Sequence, residues 1–173
     1  MRKYLICVLY LVVAIGFGQS HAGSYEDFFS AIKRDDPRTL NSLLERGFDP
    51  NTPNPEGVHG LLLAVREPSL RAAEVLIAWP KTNVEPRTPQ DESPLMLAAL
   101  RGHTAIVRKL IARDADVNKP GWTPLHYAAT HGHQDIIELL LEHHAFINAR
   151  SPNGTTPLMM AAHYGTPAAV KFL

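Results

Sequence analysis

Apolar side chains return along this chain at two intervals, one helical and one much longer. Inside short segments they recur every three or four residues, as in SPLMLAALRGHTAIVRKLIARDADVN (Ser93 to Asn118) and TPLHYAATHGHQDIIELLLEHHAFIN (Thr123 to Asn148). That spacing predicts pairs of short amphipathic helices. The two segments also agree with each other at nearly every apolar, glycine and turn position. A third copy opens at TPLMMAAHYG (Thr156 to Gly165), and weaker ones run from Phe28 and Leu61. The leading apolar anchors are Phe28, Leu61, Leu95, Leu125 and Leu158, spaced by 33, 34, 30 and 33 residues. A second anchor follows each by 15 residues: Leu43, Leu76, Leu110, Leu140 and Leu173. A period of this length predicts a stacked array of helix pairs.

The punctuation fits such an array. Thr123, Thr156 and Ser93 each precede a proline, so the hydroxyl can cap a helix whose first residue needs no N–H. Pro37 and Pro167 open second helices in the same way. The paired alanines Ala98-Ala99, Ala128-Ala129 and Ala161-Ala162 allow close approach of neighbouring helices. Gly102, Gly132 and Gly165 break each first helix before the second begins. Proline is the outlier of the composition, at 14 of 173 residues. The pattern places all of them at helix starts or in connections.

Gly121-Trp122-Thr123-Pro124-Leu125-His126, Ala128-Ala129, Gly132-His133, Leu140-Leu141 and Ile147-Asn148 together resemble the ankyrin-repeat family. The resemblance covers five copies, roughly 25–57, 58–91, 92–120, 121–153 and 154–173. It implies an all-α solenoid of helix-turn-helix repeats joined by short β-hairpin-like connections.

Departures from the family pattern carry their own expectations. Asp114 and His144 stand where a helix-ending glycine is usual, and both tolerate a left-handed backbone better than most residues. The connection from Asn118 to Thr123 is three residues shorter than the next, from Asn148 to Thr156, so its hairpin should be clipped. The second copy has His59-Gly60 where Thr-Pro is usual and Pro68 in place of the breaking glycine. Its helix start loses a cap worth about 1 kcal/mol, which makes this copy the expected weak joint. The array is expected to be a piece of a longer one, because the fifth copy stops in its second helix at Leu173.

Residues 1–22 follow a different rule. Arg2 and Lys3 precede an uncharged apolar run from Tyr4 to Phe17, and Ser20-His21-Ala22 forms a small-x-small exit before Gly23. Fourteen helical residues span about 21 Å, short of a hydrocarbon core of about 30 Å. This is the pattern of a cleavable secretory leader, leaving residues 23–173 as the working domain, with no stable membrane insertion. Cys7 is the chain's one cysteine and would leave with it, so disulfides and thiol chemistry are excluded from the mature part. Arg2 and Lys3 are two of 17 basic residues, so 15 remain against 17 acidic ones. That balance, with no basic run, offers nothing to nucleic acid.

Catalytic signatures are missing. There is no phosphate-cradling glycine loop, no H-E-x-x-H and no G-x-S-x-G. His131 and His133 form a chelator-like pair, and His143-His144 adds two imidazoles, but the repeat accounts for His103, His126, His133 and His144 as turn or helix-end positions. No catalytic residue, cofactor or metal is therefore assigned. Asn153-Gly154-Thr155 is read as a tight turn.

What is left is a surface. The resemblance implies a concave, protein-binding face formed by hairpin tips and the exposed side of each first helix. The candidates on it are Arg34, Arg66, Arg101, Trp122, His131, His163 and Tyr164, a composition enriched at protein interfaces. The expected function is a non-catalytic, monomeric protein-interaction module exported to a bacterial periplasm. Resemblance to small exported ankyrin proteins implies a helper role for an envelope enzyme such as catalase. The competing expectation is a secreted effector acting on a host or competitor target.

Overall fold

A computed structural model describes residues 23–173, and the leader assigned to 1–22, with Cys7, lies outside them. Ten helices follow in order among the described residues. They are α1 (23–33), α2 (Pro37–Glu45), α3 (Gly60–Arg66), α4 (Leu70–Ala78), α5 (Pro94–Arg101), α6 (Thr104–Ile111), α7 (Pro124–His131), α8 (Gln134–Glu142), α9 (Pro157–His163) and α10 (Pro167–Phe172). Five of them begin on a proline, at Pro37, Pro94, Pro124, Pro157 and Pro167. At that position the absent N–H has no acceptor to lose.

The helices stack in two layers. Odd-numbered helices pack in series, α3 on α5, α5 on α7 and α7 on α9, while α2, α4, α6, α8 and α10 do the same behind them. The anchors Phe28, Leu61, Leu95 and Leu125, and Leu43, Leu76, Leu110 and Leu140, are all buried between these layers. Ala98, Ala99, Ala128, Ala129 and Ala161 are inaccessible to solvent, as close helix approach requires. Gly60 shows how tight the first joint is: a Cβ there would lie 2.8 Å from the Phe28 ring. The array is the all-α repeat solenoid expected from the sequence. In the fifth copy Leu158 is 40% exposed, whereas its equivalents Leu95 and Leu125 are fully buried.

Ends of helices follow the residues available. Ser93 Oγ accepts the Met96 amide at 3.2 Å, and Thr156 Oγ1 accepts that of Met159 at 3.3 Å. Gly102 and Gly132 close α5 and α7 at φ 73° and 69°. Asp114 and His144 take the same left-handed conformation, at φ 59° and 63°, in agreement with their position in the repeat.

The second copy is capped by its neighbours. Neither His59 nor Ser69 makes a side-chain bond to the helix it precedes. Instead Asp35 of the first copy accepts the Ala72 amide of α4 at 2.8 Å and pairs with Arg71 at 2.9 Å. At the other end of α4, Arg113 of the third copy donates to the carbonyls of Ile77, Trp79, Pro80 and Thr82.

Connections between copies are closed by one recurring bond. Asn54 N–H donates to Val58 O, Thr88 to Glu92 and Ser151 to Thr155, at 2.9 to 3.0 Å. No such bond closes the connection between Asn118 and Thr123 among the described residues. That stretch instead buries Lys119, whose ammonium pairs with Asp91. The shortened loop is thus clipped, as its length predicts.

Candidate functional site

Two adjoining clefts open on the odd-helix face of copies three to five. The first, about 290 Å³, is lined by Leu100, Trp122, Tyr127, Thr130, Met160 and Tyr164. The second, about 410 Å³, shares Trp122, Met160 and Tyr164 and adds Met159 and His163 among its walls. Trp122 therefore stands at the junction of both. A third cleft, about 540 Å³, lies at the other end of the array, lined by Tyr25, Phe29, Lys33 and Arg34 together with Glu26 and Glu56.

The clipped loop positions Trp122. Its indole is half-buried and edge-on to His126, with ring centres 5.2 Å apart. His126 is fully buried. Its Nδ1 accepts the Thr123 amide at 3.2 Å and lies 2.9 Å from the Thr123 hydroxyl, while Nε2 is 3.0 Å from the Thr155 carbonyl. This network assigns the proton to Nε2 and keeps the ring neutral. Burial depresses its pKa, outweighing the opposite effect of the Thr155 hydrogen bond. Tyr127 is fixed from the other side, its hydroxyl donating to Glu92 at 3.0 Å. Burial, then the Glu92 charge, pushes this phenol well above its ordinary range, so it stays protonated.

Of the residues singled out in the sequence, Trp122, His163 and Tyr164 meet in one cleft. Tyr164 is 55% exposed, and its ring meets that of His163 edge-on at 4.9 Å. Trp122 is less exposed than its position before Thr-Pro implies, because it leans on His126. Arg66, Arg101 and His131 are the exposed last residues of α3, α5 and α7, and they line neither aromatic cleft. Arg34 belongs to the separate N-terminal cleft. Sequence reasoning missed Tyr127, Met159 and Met160. Register could have found two of them: Tyr127 and Met160 each stand three residues after the proline that opens their helix, on the same face.

The histidine pair has another role. His131 and His133 stack with ring centres 5.9 Å apart, and His133 Nε2 lies 3.1 Å from the Leu100 carbonyl. Among the described residues no group of three or more His, Cys, Asp or Glu side chains is placed to hold a metal ion. No helix among them is long and apolar enough to cross a membrane.

The family model for ankyrin repeats matches residues 28–120, 61–151 and 116–173, which together run through all five copies. The chain belongs to the ankyrin-repeat family. It is 36% identical over 76 residues to the mouse 2-5A-dependent ribonuclease, covering 42% of this chain and 10% of that protein. It is 36% identical over 80 residues to human neurogenic locus notch homolog protein 4, covering 46% and 4%. It is 34% identical over 102 residues to the Drosophila melanogaster ankyrin repeat and KH domain-containing protein mask, covering 57% and 2%. The chain thus spans a tenth or less of each of these relatives. Ankyrin repeats typically bind proteins and are generally non-catalytic. The nuclease activity in the mouse relative's name belongs to a protein of which this array matches one tenth.

Proposed function

We propose that this ankyrin array is an exported, non-catalytic binding module of a bacterial envelope, which grips a protein partner through its odd-helix face. The observation that carries the binding half is the pair of clefts sharing Trp122, Met160 and Tyr164. Aromatic and methionine side chains there present apolar surface on a rigid helical frame, the usual composition of an interface anchor. The export half rests on the order Arg2-Lys3, apolar run, Ser20-His21-Ala22. A periplasmic enzyme in need of a protective helper, such as a catalase, is the partner class that resemblance to small exported ankyrin proteins favours.

Two experiments test this. N-terminal sequencing of the exported protein should begin at Gly23, and fractionation should find it in the periplasm. Recovery from the culture medium instead would favour a secreted effector. In pull-downs from periplasm, the double variant Trp122→Ala, Arg101→Glu should lose the partner that the unaltered protein retains. Equal recovery by both would sink the groove assignment.

A further inference from the structure

The last residue of every odd helix is a base. These are Lys33 of α1, Arg66 of α3, Arg101 of α5, His131 of α7 and His163 of α9, and all five are exposed. Helices α3, α5, α7 and α9 pack side by side, and Gly60 of α3 lies against Phe28 and Ile32 of α1. Successive C-terminal ends meet where His133 faces the Leu100 carbonyl and Thr166 donates to that of Ala129, so these ends form a single edge of the array. The five bases therefore make a ladder with one rung per copy. Lys33, Arg66 and Arg101 are each favoured singly by their own helix dipole, but that local effect leaves them open to solution. Among the described residues neither Lys33 nor Arg101 pairs with a carboxylate. Arg66 pairs with Glu67 only at 3.7 Å, both side chains about half exposed.

We infer that the partner segment gripped by this face is extended and acidic, with carboxylates every third residue along the ladder and one bulky apolar anchor in the Trp122–Met160–Tyr164 cleft. The inference rests on the groove reading above and specifies its chemistry. Spacing follows from packing. Helices that touch lie roughly 10 Å apart, and an extended chain advances about 3.3 Å per residue. One rung thus corresponds to three residues. Arg101 is two rungs from His163, so its acidic partner stands about six residues from the anchor. The aromatic cleft sits at the α9 end of the ladder, giving the segment its polarity: apolar beside the fifth copy, acidic towards the first. Nucleic acid matches the charge but has no counterpart to an aliphatic or aromatic side chain seated between Met160 and Tyr164.

Labelled synthetic dodecapeptides test this by fluorescence anisotropy with the full exported protein. Each carries Phe-Leu at one end and glutamate at every third position, with serine and glycine between, and both chain directions are made. One direction should bind, and changing its glutamates to glutamine or its Phe-Leu to Ala-Ala should each weaken binding at least tenfold. Arg101→Glu should weaken the acidic peptide about tenfold and recover most of the loss when the sixth residue from the anchor is lysine. Thermal unfolding of this variant should match the unaltered protein, because Arg101 is an exposed side chain with no carboxylate partner among the described residues. The proposal is overturned if neither direction binds, if the glutamine peptide binds as tightly, or if the lysine swap fails to rescue. It is overturned equally if a twelve-residue oligothymidylate displaces the peptide as well as the unlabelled peptide does. Loss of the pull-down partner by Trp122→Ala alone, with no peptide binding, would leave the groove in place and remove the ladder chemistry.

Discussion

Replacing Arg113 by alanine removes the staple between the second and third copies. Its guanidinium donates to four carbonyls at the end of α4 and in the turn beyond, and three of these contacts are partly buried. A helix ends with carbonyls that lack intrahelical donors, and Ile77 O is one of them. Each partly buried bond contributes about 1 kcal/mol net. Arg113→Ala should therefore cost about 3 kcal/mol, or roughly 8 °C in melting temperature for a domain of this size. Arg113→Lys keeps the charge but offers one donor group in place of a planar fork, so it should recover no more than about a third. Urea unfolding followed by circular dichroism gives the total. Amide hydrogen exchange gives the location, because nearest-neighbour coupling confines the first opening to α3 and α4. An alanine variant within 0.5 kcal/mol of the unaltered protein would refute the staple. So would a full loss with α4 protection unchanged.

Gly102→Ala and Gly47→Ala make a matched pair in urea unfolding. Both positions are left-handed, at φ 73° and 91°, but a Cβ on Gly102 meets the His133 ring at 2.6 Å whereas Gly47 has open space. Gly47→Ala should cost about 1 kcal/mol from backbone strain, and Gly102→Ala clearly more, because His133 must also leave the Leu100 carbonyl. Leu125→Ala should cost about 3 kcal/mol and Leu158→Ala less than half of that in thermal melts, since only the first is fully buried. The array should also lose stability on mild acidification. Burial depresses the pKa of His126 and His103 in the fold, so below about pH 6.5 the unfolded chain binds protons that the folded chain refuses. Stability is then complete above that pH and falls as the pH drops below it. His126→Gln should flatten the difference between melts at pH 7.5 and pH 5.5, and an unchanged slope would refute the assignment.

The repeat was legible because it is written locally. Thr-Pro or Ser-Pro, Ala-Ala and the breaking Gly sit within ten residues of one another in the third to fifth copies, so each of those helix pairs announces its own ends. Asp114 and His144 could be placed in left-handed turns for the same reason. The supports of α4 were not legible. Asp35 reaches Ala72 across 37 residues, and Arg113 reaches Ile77 across 36. No local pattern distinguishes either from a solvated surface charge. The second copy thus read as poorly capped, which is true of its own residues but incomplete for the fold. At the candidate site the sequence identified Trp122, His163 and Tyr164 by their place before or after a helix. It passed over Tyr127 and Met160 because apolar residues inside a helix read as core.

The candidate site lies where the repeat is broken, and the break explains its geometry. Three full-length connections fold back on a bond between residues four apart, which uses up the loop in a hairpin tip. The connection from Asn118 to Thr123 is too short for that ring. Lys119 turns inward to Asp91, and the backbone passes through Gly121 at φ 88° directly into Trp122. The indole is thereby delivered to the face of α7, against His126, instead of to a solvent-exposed tip. A longer loop would release it. Inserting three residues after Pro120, to match the Asn148 to Thr156 connection, should leave the helices intact by circular dichroism and remove the wall that both clefts share. If the insertion variant still retained the groove partner at full strength, the clipped loop would be an accident of the repeat and not the source of the site.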